Sequence, residues 1–288
     1  MTTKALAYRD CFFTRDGLRL HYRDYPGPND GPPLLCLPGL TRNARDFAEF
    51  AERLSPKYRV LCLDFRGRGE SEHDPDPQRY VPGTYAHDVI ALLDHVGVAD
   101  AIFVGTSLGG IVTMLVAVLD EERIAAAILN DVGPELTEAG VERIRAYVGT
   151  QPSFASWEGA ALAVKAIQRG LPADWGPRDW ESLARRLCSE RVDGTVRFDY
   201  DPAISIPFRT SPTGIVDMWP LFDALARKPV LAVRGEHSEL FTADALERLG
   251  RRSANVSTVT VPRVGHPPEL TEPEALAAID SFLEQLDG

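Results

Sequence analysis

The sequence predicts an α/β fold in which a mostly parallel sheet is flanked by helices and carries an inserted helical cap. Short apolar runs alternate with helical patterns along most of the 288 residues, and this alternation is typical of parallel strands joined by right-handed helical crossovers. The alternation stops after Pro134 and resumes at Pro229, which indicates a single insertion. The apolar share of 44% and the charged share of 25% are those of an ordinary globular chain.

The individual elements follow from local patterns. Residues 11–25 alternate around Asp16-Gly17, a dipeptide that accepts the positive φ values of a tight turn, so a β-hairpin opens the chain. Continuous apolar runs predict buried strands at 34–37, 60–65, 101–104, 126–129, 230–233 and 256–261. Helical spacing predicts helices at 84–96, at 108–119, after Thr242 and at the C-terminus, where Thr271 and Glu274 form a predicted capping box.

The interruption divides the chain into two predicted parts. Residues 1–133 and 223–288 form the core domain, and residues 134–222 form a helical cap with helices near 141–148 and 157–169. All four tryptophans of the chain fall inside this cap, which predicts that they wall an apolar substrate pocket. The alternative is that each one packs the cap onto the sheet. The four are Trp157, Trp175, Trp180 and Trp219.

Charge and composition exclude several classes of function. With 31 basic and 42 acidic residues the net charge is −11, which repels nucleic acid and anionic membrane surfaces. No apolar run approaches the roughly 18 residues of a membrane helix, and the first ten residues lack a signal core, so we expect a cytoplasmic protein. The four cysteines lack paired spacing, and the sequence contains neither a zinc motif nor a dinucleotide or phosphate loop. We therefore expect no metal and no cofactor.

The motif that carries chemistry is G-T-S-L-G-G at residues 105–110. It follows the strand at 101–104 and precedes an apolar helix, which is the strand–turn–helix context of a nucleophile elbow. A turn this sharp brings neighbouring backbone so close that Gly105 and Gly109 cannot carry side chains, and it exposes Ser107 at the carboxyl edge of the sheet. Ser107 is thus the candidate nucleophile.

A serine nucleophile needs a base, and the base needs a carboxylate that holds its tautomer. His266 follows the last strand in V-G-H-P-P, so it reaches the same edge of the sheet as the serine. For the acid we select Glu239, after the strand at 230–233, because it gives the chain order serine, acid, histidine. Asp131, at the end of the strand at 126–129, is the main alternative, and Glu236 is a third.

The reaction also needs two donors for the oxyanion of the tetrahedral intermediate. One is expected to be the backbone N–H of Leu108, directly after the nucleophile. The loop after the strand at 34–37 can turn its backbone toward the same edge at Pro38-Gly39-Leu40. The second donor is therefore expected to be the N–H of Leu40.

These elements together resemble the α/β-hydrolase superfamily over essentially the whole chain. L-P-G-L at 37–40 resembles its oxyanion loop, D-F-R-G-R-G-E-S at 64–71 its strand-end turn, and the serine and histidine loops match as well. The runs at 129–135 and 234–240 resemble a subgroup of compact, esterase-like members. Two departures are Pro38, where a histidine is usual, and Glu239, where the subgroup has aspartate. Arg66 and Asp64 are expected to hold their turn and not to touch substrate.

The resemblance implies a serine hydrolase that acts on a small-molecule acyl substrate, namely an ester, lactone or thioester, through an acyl-enzyme. Epoxide- and halide-cleaving members carry aspartate in place of the serine, which disfavours those activities. The alternatives are a C–C bond hydrolase, a lyase or an acyltransferase with the same triad, and a member that binds ligand without catalysis. We expect a monomer or homodimer.

Overall fold

An eight-stranded sheet forms the centre of the molecule. The computed structural model describes residues 7–28, 31–168, 175–210 and 217–287. The order of the strands across the sheet is β1-β2-β4-β3-β5-β6-β9-β10. Their bounds are Arg9–Arg15 (β1), Leu18–Tyr25 (β2), Leu34–Leu37 (β3), Val60–Leu63 (β4), Ala101–Thr106 (β5), Ile124–Asn130 (β6), Val230–Gly235 (β9) and Val256–Val261 (β10), with Cys188–Glu190 (β7) and Val196–Phe198 (β8) as a separate antiparallel pair.

The sheet is mostly parallel, as predicted. β1 pairs with β2 and β2 with β4 in antiparallel sense, whereas β4, β3, β5, β6, β9 and β10 are parallel neighbours. The predicted opening hairpin is confirmed, since Asp16 and Gly17 have φ values of +54° and +81° between β1 and β2. All six predicted core strands are present, with ends shifted by up to two residues.

Helices cover both faces of the sheet. Alternate residues of a buried strand face opposite sides, so Leu35 and Leu37 belong to one apolar layer and Leu34 and Cys36 to the other. The helices α2, α3, α8 and α9 pack on the first layer and α1 and α10 on the second. Their bounds are Ala48–Leu54 (α1), Pro82–Val96 (α2), Leu108–Leu119 (α3), Glu138–Tyr147 (α4), Trp157–Ile167 (α5), Pro177–Leu187 (α6), Ser205–Thr210 (α7), Trp219–Leu225 (α8), Ala243–Arg252 (α9) and Pro273–Leu286 (α10).

The predicted capping box at the start of α10 is wrong. The helix is capped by Glu272, and Pro273 is its first residue, a position that proline favours because its missing N–H would be unpaired there. The N-cap residue of α10 is therefore the one after Thr271. The Glu272 carboxylate accepts the backbone N–H groups of Glu269 and Thr271 instead.

The chain between β6 and β9 contains α4–α8 and the β7–β8 pair. The predicted helices near 141–148 and 157–169 correspond to α4 and α5, whereas α6 and the small strand pair were not predicted. This segment contacts the core through the backbone N–H of Gly69, which donates to the Asp199 carbonyl at 3.1 Å. It also contacts the core through Asn43, whose amide donates to the Arg186 carbonyl at 2.9 Å. The division at 134–222 stays a prediction, and residues 169–174 and 211–216 of that range lie outside the described residues.

The turn after β4 is held by buried charges, as predicted for Arg66 and Asp64. Arg66 is fully buried and donates to both oxygens of Asp88 on α2, at 2.8 and 2.5 Å, and to Asp74. Asp64 accepts the N–H groups of Ala44 and Glu70 at 2.6 and 3.0 Å. Neither side chain is exposed, so both serve the shape of the turn.

Candidate active site

Ser107 lies at the turn between β5 and α3 with φ of +51° and ψ of −113°. A side chain at Gly109 would place its Cβ 2.1 Å from the Leu37 carbonyl oxygen, and one at Gly105 would lie 2.6 Å from the Gly110 nitrogen. Both positions thus require glycine, for the steric reason the motif predicts. The backbone N–H of Ser107 donates to the Asn130 carbonyl at 3.0 Å, which fixes the turn against the end of β6.

His266 is hydrogen-bonded to Ser107 on one side and to Asp131 on the other. Its Nε2 lies 3.1 Å from Ser107 Oγ, and its Nδ1 lies 2.6 Å from Asp131 Oδ2. The carboxylate accepts, so Nδ1 is the donor of this bond, and in the tautomer with its proton on Nδ1 the free lone pair of Nε2 faces the serine hydroxyl. Asp131 is fully buried and His266 nearly so. A nucleophile, a base and an orienting acid are thereby within hydrogen-bond reach of one another.

The structure places Asp131, not Glu239, at the histidine, so the predicted position of the acid is wrong. Ser238 and Leu240 are buried, and the residue between them faces outward. The Glu239 carboxylate is 56% exposed and pairs with Arg143 of α4. Glu236 is also on the surface, where its carboxylate accepts the Arg263 N–H at 2.8 Å.

Three donors hold Asp131. Besides His266 at Oδ2, the backbone N–H of Gly235 donates to Oδ1 at 2.9 Å, and the Ser238 hydroxyl lies 2.6 Å from Oδ2. Asp131 itself has φ of +55°, a left-handed conformation that aspartate tolerates better than most residues. Ser238 was not singled out from the sequence, although it belongs to the same R-G-E-H-S-E-L run as Glu239.

Asn130 is a second residue that sequence reasoning missed. Its side-chain amide donates to the Pro268 carbonyl of the histidine loop at 2.9 Å and to Thr106 Oγ1 at 3.2 Å. Through these bonds one buried side chain joins the ends of β5 and β6 to the loop that carries His266. Its position directly before Asp131 at a strand end was the available signal.

The two predicted oxyanion donors belong to segments that adjoin the nucleophile. Leu108 is the first residue of α3, where a backbone N–H has no acceptor within the helix. Gly39 adjoins Ser107, since a Cβ on it would lie in van der Waals contact with the serine Cβ, at 3.9 Å. The next residue, Leu40, has its carbonyl held by Arg68 Nε at 3.0 Å. The roles of the Leu40 and Leu108 N–H groups stay predictions.

A small cavity of about 20 Å³ lies within the β6–β9 segment, and Thr41, the residue after Leu40, also lines it. None of the four tryptophans lines it: Trp180 is buried against Trp175, Trp157 donates to Glu190, and Trp219 donates to Glu135. Their predicted substrate contacts stay untested. The cavity is lined by Thr41, Tyr147, Thr150, Val164, Ile167, Gln168, Leu187, Phe198 and Tyr200.

The described part of the chain lacks two further features. Within it, no three His, Cys, Asp or Glu side chains are grouped so that they could hold a metal ion. No helix within the same ranges has the length and apolar character needed to cross a membrane.

Comparisons with known proteins cover nearly the whole chain. A model of the alpha/beta hydrolase family matches residues 34–279. The 3-hydroxybutyrate-oligomer hydrolase of Cupriavidus necator is 34% identical over 286 residues, which are 96% of this chain and 97% of the relative. The 2-(acetamidomethylene)succinate hydrolase of Mesorhizobium japonicum is 28% identical over 88% of each chain. The crystal structure of an alpha/beta hydrolase from Novosphingobium aromaticivorans has a TM-score of 0.92 and 48% identity, and the match covers 97% of this chain and 99% of that chain.

Proposed function

This chain belongs to the alpha/beta hydrolase family, which confirms its predicted fold class, and from that membership we propose that it is a serine hydrolase that cleaves carboxylic esters. The observation that carries the proposal is the hydrogen-bond chain from Ser107 through His266 to Asp131. Such a chain converts a weakly nucleophilic hydroxyl into an attacking group at neutral pH.

In the acylation half-reaction, Ser107 Oγ attacks the ester carbonyl carbon while His266 Nε2 takes the hydroxyl proton. The tetrahedral intermediate collapses as its bond to the alcohol oxygen breaks, and Nε2 gives that oxygen the proton. The alcohol leaves, and the acyl group stays on Ser107. Asp131 remains ionised and stabilises the imidazolium that forms in between.

In the deacylation half-reaction, water takes the place of the alcohol. His266 accepts one proton of the water as its oxygen attacks the acyl carbon, and the bond to Ser107 Oγ then breaks with return of that proton to the serine. The product is a carboxylic acid. In both half-reactions the N–H groups of Leu40 and Leu108 stabilise the oxyanion.

The substrate class that we propose first is a short oligoester of a hydroxy acid. Its support is the Cupriavidus necator relative, a 3-hydroxybutyrate-oligomer hydrolase similar to this chain over 96% of its length. In this proposal the segment at 134–222 acts as the cap that selects the acyl group. The cavity, which Thr41 lines together with residues of that segment, supports this role.

The experiment is a substrate panel assayed with the wild type and with Ser107→Ala. The panel contains 3-hydroxybutyrate oligomers and p-nitrophenyl esters, together with a lactone and a thioester. We expect hydrolysis of esters that falls by several orders of magnitude in Ser107→Ala. Product analysis with an added alcohol acceptor separates a hydrolase from an acyltransferase. Hydrolysis that persists unchanged in Ser107→Ala would contradict the proposal.

A further inference from the structure

We propose that Ser238 is a positioning residue for Asp131. The end of β9 and the loop at 236–241 that follows it then supply donors that fix the acid and do not supply the acid itself. This inference rests on the proposed serine hydrolase function, because it concerns the acid of that triad. Its basis is the geometry around the two carboxylate oxygens of Asp131.

The hydrogen bonds of Ser238 fix the direction in which its hydroxyl proton points. Ser238 Oγ accepts the backbone N–H groups of Leu240 and Phe241, at 3.3 and 3.1 Å. These two donors occupy the lone pairs of the oxygen, which leaves its single proton for another partner. That partner is Asp131 Oδ2 at 2.6 Å. The hydroxyl thus donates to the carboxylate, and this is a charge-assisted hydrogen bond in a buried place.

Ser238 and His266 donate to the same oxygen. Asp131 Oδ2 lies 2.6 Å from His266 Nδ1 and 2.6 Å from Ser238 Oγ. The other oxygen, Oδ1, is held by the N–H of Gly235. Because both oxygens are hydrogen-bonded, the Asp131 carboxylate cannot rotate about its Cβ–Cγ bond without losing a donor. The orientation of the His266 ring therefore depends on Ser238 through Asp131.

The backbone at the end of β9 lies against the loop that carries His266, which brings Ser238 close to Asp131. A side chain at Gly235 would put its Cβ 2.2 Å from the Gly265 carbonyl oxygen, so the end of β9 lies directly against the loop that carries His266. Asp131 is fully buried, and a buried carboxylate without donors is costly. Ser238 supplies such a donor, whereas Glu239 beside it points to solvent and pairs with Arg143.

The test measures the rate at which a fluorophosphonate labels Ser107, since this probe reports activation of the nucleophile without a known substrate. In Ser238→Ala we expect the labelling rate to fall at least about fivefold, because a hydrogen bond to a charged group is lost. Glu239→Gln is the matched control on the neighbouring residue and should change the rate less than about twofold. If Ser238→Ala does not fold, Ser238→Cys replaces it, since a thiol fills the same place but donates weakly.

A double-mutant cycle with Asp131→Asn separates positioning from a general effect on the loop. If Ser238 acts through Asp131, Ser238→Ala should change the rate less than about twofold in the Asp131→Asn background. The downfield proton NMR signal of His266 Nδ1–H should move in Ser238→Ala and stay in place in Glu239→Gln. Equal losses in both backgrounds, or no loss in the wild-type background, would overturn the inference. A wild type that is not labelled at all would instead overturn the proposed function.

Discussion

Ser107 and Asp131 both hold positive φ values at the ends of neighbouring parallel strands. Their φ angles are +51° and +55°, in a region that costs non-glycine residues of order 1–3 kcal/mol. In each residue a backbone hydrogen bond within the site offsets part of this conformational cost. The N–H of Ser107 donates to the Asn130 carbonyl, and that of Asp131 donates to the Val233 carbonyl at 2.8 Å. The backbone strain at these two residues thus accompanies the conformations that aim the nucleophile and the acid at His266.

The first prediction compares the two carboxylates directly. Asp131→Asn should lower kcat on a p-nitrophenyl ester about a hundredfold or more, because the amide cannot hold the His266 tautomer that a carboxylate holds. Glu239→Gln should change kcat less than about threefold, since its side chain is exposed and pairs with Arg143. Steady-state kinetics on both variants checks this. The reverse order of effects would restore Glu239 as the acid.

The identity of the acid could not be predicted from the types and order of single residues. The positions of Ser107 and His266 follow from motifs at strand ends, and the structure brings these two residues together. Which carboxylate reaches the histidine depends on the direction of a loop. Ser238 and Leu240 point inward and leave Glu239 outside, and neither this nor the positive φ of Asp131 can be read from residue types or chain order.

His21 is a buried histidine between two carboxylates. Its Nδ1 lies 2.7 Å from Asp64 and its Nε2 lies 3.0 Å from Asp10. Burial alone would lower the pKa of His21, but the hydrogen bonds and charges of Asp64 and Asp10 raise it above its usual value. A raised pKa in the folded state adds stability that is fully present below about pH 6.5, the unfolded value, and is lost as pH rises through the folded pKa.

We therefore predict that His21→Gln lowers the free energy of unfolding more at pH 6 than at pH 9. Urea unfolding of both proteins at the two pH values measures this difference, and contributions of other groups cancel in the comparison. His73→Gln is the control, because His73 is 61% exposed. A loss of the same size at both pH values would show that the charge of His21 does not stabilise the fold.

At the scale of elements, the turn at 64–71 joins β4 to the rest of the core through buried ion pairs. Arg66 is the centre of this arrangement, with Asp88 of α2 and Asp74 as its partners. Burial raises the pKa of Asp88, and the hydrogen bonds and charge of Arg66 act in the opposite direction. The role predicted for Arg66 from the sequence holds, but its partners on other elements could not be named from the turn alone.

Arg66→Ala should lower the free energy of unfolding by about 3 kcal/mol, because it removes the cation that donates hydrogen bonds to two buried carboxylates. Asp88 and Asp74 then keep the more distant Arg15 and Arg79, at 3.3 and 3.6 Å. Urea denaturation measures this loss. Arg251→Ala is the matched control, since Arg251 is 76% exposed and pairs with Glu247 four residues before it, and it should cost less than about 0.5 kcal/mol. Equal losses in the two variants would refute a structural role for the buried pairs.

At the scale of the whole molecule, the candidate site gathers at the carboxyl ends of the parallel strands, where open α/β sheets bind ligands. Ser107 follows β5, Asp131 follows β6, and His266 follows β10. The order of the core strands and the break in their alternation between β6 and β9 could be predicted, because hydrophobic patterns set them. The β7–β8 pair could not, since strands of three residues are too short to show a period.

The proposed role of the β6–β9 segment in substrate choice leads to a prediction about acyl-chain preference. Ile167→Ala enlarges the cavity that Ile167 lines, so kcat/KM for a p-nitrophenyl hexanoate should rise relative to the acetate, by about fourfold for each methylene newly accommodated. Leu162→Ala is the control on the same helix, because Leu162 is 65% exposed. An unchanged preference in Ile167→Ala would argue that this cavity does not receive the acyl chain.

The most direct test of the central claim is to identify the residue that a fluorophosphonate modifies. Intact mass spectrometry and peptide mapping should find one adduct per chain, located on Ser107. The adduct should be absent in Ser107→Ala, and its formation should slow by several orders of magnitude in His266→Ala, because these residues act as a unit. Absence of labelling in the wild type, or an adduct that persists in Ser107→Ala, would contradict the assignment of Ser107 as the nucleophile.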